Sequence, residues 1–135
     1  PNVLIYVIRF IAGIEEMINS IDNVLANSEK AIAVFTTHDQ WSSNFILNDD
    51  GSGRTGDWVL RKNPNVNTVV IYHRKGSSNH IYKAKISEIE GPLDNYEKSH
   101  RYIIHFHNCE RLGLTHENWS DFADCGSNPV RYFNT

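Results

Sequence analysis

Cysteine, methionine and proline are scarce in this chain of 135 residues, with two, one and four copies respectively. Two cysteines, Cys109 and Cys125, do not make a disulfide framework. The fold must therefore rest on a packed core, and the thiols are expected to be free in a reducing compartment. No apolar run approaches the roughly 20 residues that a membrane span needs. The longest, Val3 to Ile8, reaches Phe10-Ile11 only across Arg9. No basic stretch precedes this apolar start and Glu15-Glu16 follow it, which argues against a secretory leader and makes the cytoplasm the expected compartment. Phosphate-cradling and dinucleotide glycine motifs are missing too. Gly51-Ser52-Gly53 runs into Arg54-Thr55-Gly56 and matches neither pattern, and there is no nucleophile elbow.

What is present is an ordinary globular composition, 40% hydrophobic and 21% charged, long enough for one domain spanning residues 1–135 with a core of its own. The net charge of −3 argues against a globally basic nucleic-acid binder. Its distribution is uneven. The acids dominate both ends, whereas residues 51–101 carry an excess of cations, among them Arg54, Lys62, Arg74 and Lys75. Such a segment can form a phosphate-facing patch or simply a solvated strand face.

Strand signals dominate. Asn2–Phe10, Lys30–Thr37, Asp57–Lys62, Asn67–His73, His80–Ile89, Arg101–His107 and Val130–Phe133 are β-rich, apolar or alternating. Ile14, Met17, Ile18, Ile21, Val24 and Leu25 recur at three- and four-residue spacing and predict an amphipathic helix over 14–26. A second short helix is expected over His116–Asp124, with Thr115 as its cap. Lys75–Asn79 reads as a hairpin loop, and residues 38–56 as a long polar segment holding Trp41 and Phe45-Ile46-Leu47. The expected fold is α+β: a curved, mostly antiparallel sheet or small barrel of about six strands with two or three short helices.

His105, His107, Cys109, His116 and Cys125 are zinc-type ligands, but no paired C-x-x-C spacing accompanies them. The zinc signal is weak; half-buried strand histidines and core cysteines are the favoured account, and no metal or other cofactor is expected. The aromatic residues are more suggestive. Trp41 and Trp58 flank a glycine-rich polar stretch, Tyr72-His73 end the strongest strand, and Trp119, Tyr132 and Phe133 lie near the C-terminus. Rings beside small polar groups are what a flat nucleobase requires. Trp41, set in His38-Asp39-Gln40-Trp41-Ser42-Ser43-Asn44, fits a pocket or a core equally well.

Three stretches carry a resemblance: Gly56-Asp57-Trp58-Val59-Leu60, Thr68 to His73, and Ile81 to Ile86. The glycine–aspartate step into a strand, the strand ending in Tyr72-His73, the hairpin at 75–79 and the following strand with small residues resemble the PUA-like superfamily, and within it the EVE and YTH-type domains. Trp41-Ser42-Ser43 resembles the tryptophan wall of the YTH base pocket. Gly126 to Tyr132 resembles the end of such domains in modification-dependent restriction endonucleases. The resemblance implies a non-catalytic reader that flips a modified base, 5-methylcytosine or 5-hydroxymethylcytosine in DNA by preference, into an aromatic pocket. Trp41, Trp58 and Tyr72 would supply its rings, and Asp39, Ser42, Ser43 and Asn44 its edge contacts. Arg54, Lys62, Arg74 and Lys75 would meet phosphates. It further implies a cleavage domain outside this chain, and a start at Pro1 without Met is compatible with a fragment. Two neighbouring classes stay open: a YTH-like reader of N6-methyladenine in RNA, and an ASCH-like amidohydrolase built on Lys83 or Lys85 with Glu88. A protein-interaction domain without nucleic-acid activity is the third possibility.

Overall fold

A computed structural model describes residues 15–38, 44–93 and 101–135. Seven strands form one sheet: β1 (Ala31–His38), β2 (Phe45–Leu47), β3 (Gly53–Val59), β4 (Thr68–Lys75), β5 (Ser78–Glu90), β6 (Arg101–Thr115) and β7 (Val130–Phe133), in the spatial order β2-β3-β6-β5-β4-β1-β7. Every neighbouring pair is antiparallel except β1 with β4, which run parallel with Ala31 opposite Thr68 and His38 opposite Lys75. The sheet is therefore mixed. No helix among the described residues is long and apolar enough to cross a membrane.

Both faces of the central strands are covered. Ile32, Val34, Val69 and Ile71 point to one side, where residues from all seven strands, including Phe45, Trp58, Ala84, Ile104, Phe106 and Val130, make a single core. That joining requires the sheet to curl over this face. Phe45 of β2 lies with its ring 5.0 Å from His73 of β4, although three strands separate β2 from β4 in the sheet. The Tyr132 hydroxyl of β7 accepts from Arg61 N, just beyond β3, at 3.1 Å. The alternating residues Ala33, Val70, Tyr72 and Ile81 point outward into a second core with Ile18, Ile21, Trp119, Phe122 and Ala123. A strand covered on both faces reads as a continuous apolar run, and Thr68–His73 does so.

The helix expected over 14–26 is not formed in the described part. Residues 16–18 run extended along β6, with Leu114 N donating to Glu16 O at 3.0 Å and Ile18 N to Leu114 O at 2.8 Å. Only Ile21–Asn23 makes a 3-10 turn, closed by a capping box between Ser20 and Asn23. The physical reason lies in β6. Its pairing with β3 ends at Phe106, so its far end offers unpaired backbone groups that the N-terminal segment satisfies. Gly113 permits the approach, since a Cβ there would collide with the Glu16 carbonyl. Ile18 and Ile21 still bury themselves, so the apolar spacing was meaningful while the backbone path differs. The second helix, α1 (Trp119–Ala123), is short and capped by Asn118 rather than Thr115. With so little helix the fold is sheet-rich rather than clearly α+β. The strand expected over Asn2–Phe10 lies outside the described residues.

Residues 45–55 hold an unexpected hairpin. Phe45–Leu47 pairs with Gly53–Thr55 around a loop in which the Asp50 carboxylate accepts from Ser52 N at 3.0 Å and Ser52 Oγ at 2.6 Å. Those bonds favour the ionised carboxyl and lower its pKa. Trp58, 6% exposed and donating Nε1–H to Thr55 Oγ1 at 3.0 Å, belongs to the inner core. Trp58→Ala is therefore expected to cost about 3–5 kcal/mol in urea unfolding, whereas Arg54→Ala on the exposed side of the same strand should stay within about 0.5 kcal/mol.

Candidate functional site

Of the residues expected to form the base pocket, Asp39, Trp41, Ser42 and Ser43 lie outside the described residues. The remaining three are not assembled as expected. Trp58 sits in the inner core and Tyr72 in the outer one, on opposite faces of the sheet. The Tyr72 hydroxyl donates to Glu117 O at 2.7 Å, and burial raises its pKa. A pocket walled by Trp58 with Tyr72 at its floor is thus excluded by strand alternation. Asn44 serves the backbone: its Oδ1 accepts from Thr37 N at 3.1 Å and its carbonyl from Thr55 Oγ1 at 2.6 Å.

The four expected phosphate contacts do not form one patch either. Arg74 and Lys75, adjacent on β4, point to opposite faces. Arg54 lines a separate cleft with Ile46, Asn48 and His105, and Lys62 lies in the connection between β3 and β4. Two of the histidines considered for zinc have other partners, and His116 lines a cleft elsewhere. His105 Nε2 is 2.7 Å from Glu90 Oε1, and His107 Nδ1 is 2.8 Å from Ser87 Oγ. Burial pushes the Cys109 thiol up to about 12, with Glu110 adding to the effect, which keeps it protonated. No group of three metal-type ligands occurs among the described residues. The lysines considered for amide hydrolysis share Glu29, at 2.7 Å from Lys83 and 3.8 Å from Lys85, and Lys83 also donates to Val24 O. Glu88 pairs in register with His105 instead.

What the structure does gather is a polar cluster at one end of the apolar interior. The ends of β1 and β4 and the start of β5 meet there, and their inward-facing residues turn from aliphatic to polar: Thr36, His73, His80 and Tyr82. Thr36 is fully buried, and His73 is 6% exposed. The Thr36 hydroxyl lies 3.2 Å from Tyr72 O and 2.7 Å from His73 Nδ1. A hydroxyl has one proton. Given to the Tyr72 carbonyl, it leaves Nδ1–H of His73 as the donor of the shorter contact and Nε2 as an acceptor; given to Nδ1, it leaves the ring proton on Nε2. His80 stands directly opposite on β5, and its tautomer is set by its neighbour. Arg111 Nε donates to its Nδ1 at 3.0 Å, so the neutral ring carries its proton on Nε2. Arg111 is itself ion-paired to Glu15 at 3.0 Å. The rings of Phe45, Tyr82 and His38 surround His73 at 5.0, 6.4 and 6.1 Å.

Burial, and after it the neighbouring His38, His80 and Lys75, hold His73 at about 4, well below its usual 6.5. His80 is lowered by burial, then by Arg111 and Lys75, against an opposing pull from Glu15. Both rings are therefore neutral near pH 7, and His80 carries its proton on Nε2. Thr36, His73, His80 and Arg111 were not foreseen as site residues; His73 entered only as the end of the Tyr72-His73 strand. Comparison with family models, with curated proteins and with solved structures gives no match for this chain.

A histidine whose folded pKa is depressed binds its proton more readily in the unfolded chain. His73 should therefore stabilise the fold fully above about pH 6.5, and that contribution should drain away as pH falls through about 4. The loss is on the order of 3 kcal/mol. Urea midpoints measured across this range for the parent and for His73→Phe test it: parallel profiles would sink the assignment.

Proposed function

We propose that this chain is a non-catalytic module that binds nucleic acid by accepting one extruded base, carrying a modification, at the polar end of its interior. The observation that carries this reading is the cross-strand His73–His80 pair, held neutral beside aromatic rings; with the Thr36 proton on the Tyr72 carbonyl, the pair is an acceptor beside a donor. An amino-bearing base has the complementary edge. Cytosine offers N4–H to an acceptor and N3 to a donor; adenine offers N6–H and N1. Thymine and uracil, with a carbonyl and an N–H in those places, present the reverse pattern. The rings of Phe45, Tyr82 and His38 supply apolar surface for the base and for a methyl or hydroxymethyl substituent. Unstacking the base costs a few kcal/mol, and stacking with edge bonding offsets it.

The resemblance to EVE and YTH-type domains supports the same reading, because Tyr72-His73 is one of its motifs. Its restriction-type C-terminal stretch favours DNA carrying 5-methylcytosine or 5-hydroxymethylcytosine over RNA with N6-methyladenine, and a cleavage domain supplied outside this chain. The tethering of Lys83 and Lys85 to Glu29 weighs against the amidohydrolase alternative. Lys75, beside His73 at the strand's end, is positioned to add a sequence-independent, salt-sensitive contact.

Gel-shift titrations with modified and unmodified duplexes test this. The parent should prefer the modified cytosine. His73→Ala should weaken that complex by about 1–3 kcal/mol, the cost of leaving a buried polar edge unpaired, and bring it near the unmodified affinity. Lys75→Gln should weaken both duplexes alike and lower the salt slope by about one. If folded His73→Ala discriminates as the parent does, the base is read elsewhere.

A further inference from the structure

The other face of β4 borders an open cleft of about 380 Å³, within the range of about 300–1,000 Å³ that small-molecule ligands occupy. Phe35, Arg74, Asn79, His116, Trp119 and Ser127 line it, and although the chain has net charge −3, its lining contains no carboxylate. The walls are fixed before any ligand arrives. Phe35 stacks on Trp119 at 5.8 Å and 18°, and the indole is anchored by Nε1–H donating to Asn128 O at 2.6 Å. Tyr72 closes the base of the cleft with its hydroxyl bound to Glu117 O. The Arg74 side chain is exposed and forms no ion pair or hydrogen bond among the described residues, so its guanidinium is available to an anion.

We infer that this cleft is a second binding site, one that takes a nucleoside 5′-monophosphate unit with Arg74 on the phosphate and the half-buried Phe35 ring beside the base. The chemistry is specific on both counts. A planar guanidinium with nearby amide, imidazole and hydroxyl groups suits a phosphate where no carboxylate lines the cleft. A ring held edge-on to Tyr72 and flat on Trp119 offers a rigid platform for a flat heterocycle. The site does not depend on the reading of His73, because alternation puts Arg74 and His73 on opposite faces of the sheet. The same unit can come from a free mononucleotide or from one nucleotide of a bound strand.

Histidine ring signals report which site is filled, because His116 lines this cleft while His73 and His80 lie in the interior cluster. The intact chain is titrated with uridine 5′-monophosphate, uridine and inorganic phosphate, since uracil lacks the edge that the interior pair would read. The monophosphate should move the His116 signals, leave His73 and His80 unchanged, and bind at least about tenfold more tightly than either half alone. Arg74→Gln should weaken the monophosphate about tenfold with little effect on uridine, and Phe35→Leu should weaken both. A monophosphate no tighter than phosphate, no response to Arg74→Gln, or shifts confined to His73 and His80 would overturn the proposal. A single-stranded oligonucleotide that moves His116 and is displaced by the monophosphate assigns the strand as source. One that leaves His116 unmoved assigns the free nucleotide. Loss of modified-base preference with the monophosphate result intact would overturn the interior reading alone.

Discussion

Parallel pairing of β1 with β4 is the constraint on which the rest depends. Two neighbouring strands running the same way need a long crossover, and here residues 39–67 provide it, carrying β2 and β3 to the far side of the sheet. Because β3 then pairs with β6 rather than β4, the sheet curls until Phe45 touches His73. Covering both faces of β1 and β4 removes Ile32, Val34, Val69, Val70 and Ile71 entirely from water. At about 25 cal/mol per Å² of apolar surface, this central ribbon is where burial contributes most strongly.

That same burial makes the polar end of the ribbon informative. A hydroxyl and an imidazole withdrawn from water cost stability unless each finds a partner, and Thr36 and His73 partner each other. Two apolar residues of similar shape would fill the space at less electrostatic cost. Retaining the pair spends stability on an imidazole held in place by Thr36. Arg111 fixes the tautomer of His80, and Glu15 holds Arg111. Each ring is thus anchored by a contact behind it, which is what a polar edge needs if it is to be read the same way each time.

Much of the sheet was legible in the sequence because its strands are either continuously apolar or alternating. The strands expected over Asn67–His73 and His80–Ile89, from Val69-Val70-Ile71 and from the offset of Ile81 against Tyr82, form the bodies of Thr68–Lys75 and Ser78–Glu90. The N-terminal segment was not, because Ile18 and Ile21 are spaced as in a helix, while the open edge of β6 that captures their backbone is set by residues far along the chain. The hairpin of β2 with β3 was missed although Asn48-Asp49-Asp50-Gly51 is a strong turn signal, since the polar residues around it read as one long loop. The site failed for a narrower reason. The turn between β4 and β5 is the two residues Gly76-Ser77, with Gly76 at φ 62°, not a loop over 75–79. A two-residue turn fixes Lys75 opposite Ser78 and therefore His73 opposite His80. With the longer loop, the two histidines fall out of register and the pair cannot be seen.

The register also explains how one strand end serves two chemistries. Tyr72, His73, Arg74 and Lys75 alternate across the sheet, so Tyr72 and Arg74 face the Trp119 cleft while His73 faces the interior. A shift of one residue would exchange them, placing a guanidinium in the apolar interior and an imidazole against the cleft. The buried aliphatic residues upstream forbid that shift, because it would also exchange Val69 and Ile71 with Val70. The core thus sets more than stability: by locking the register of β4, it decides which face carries a neutral edge and which carries a positive charge.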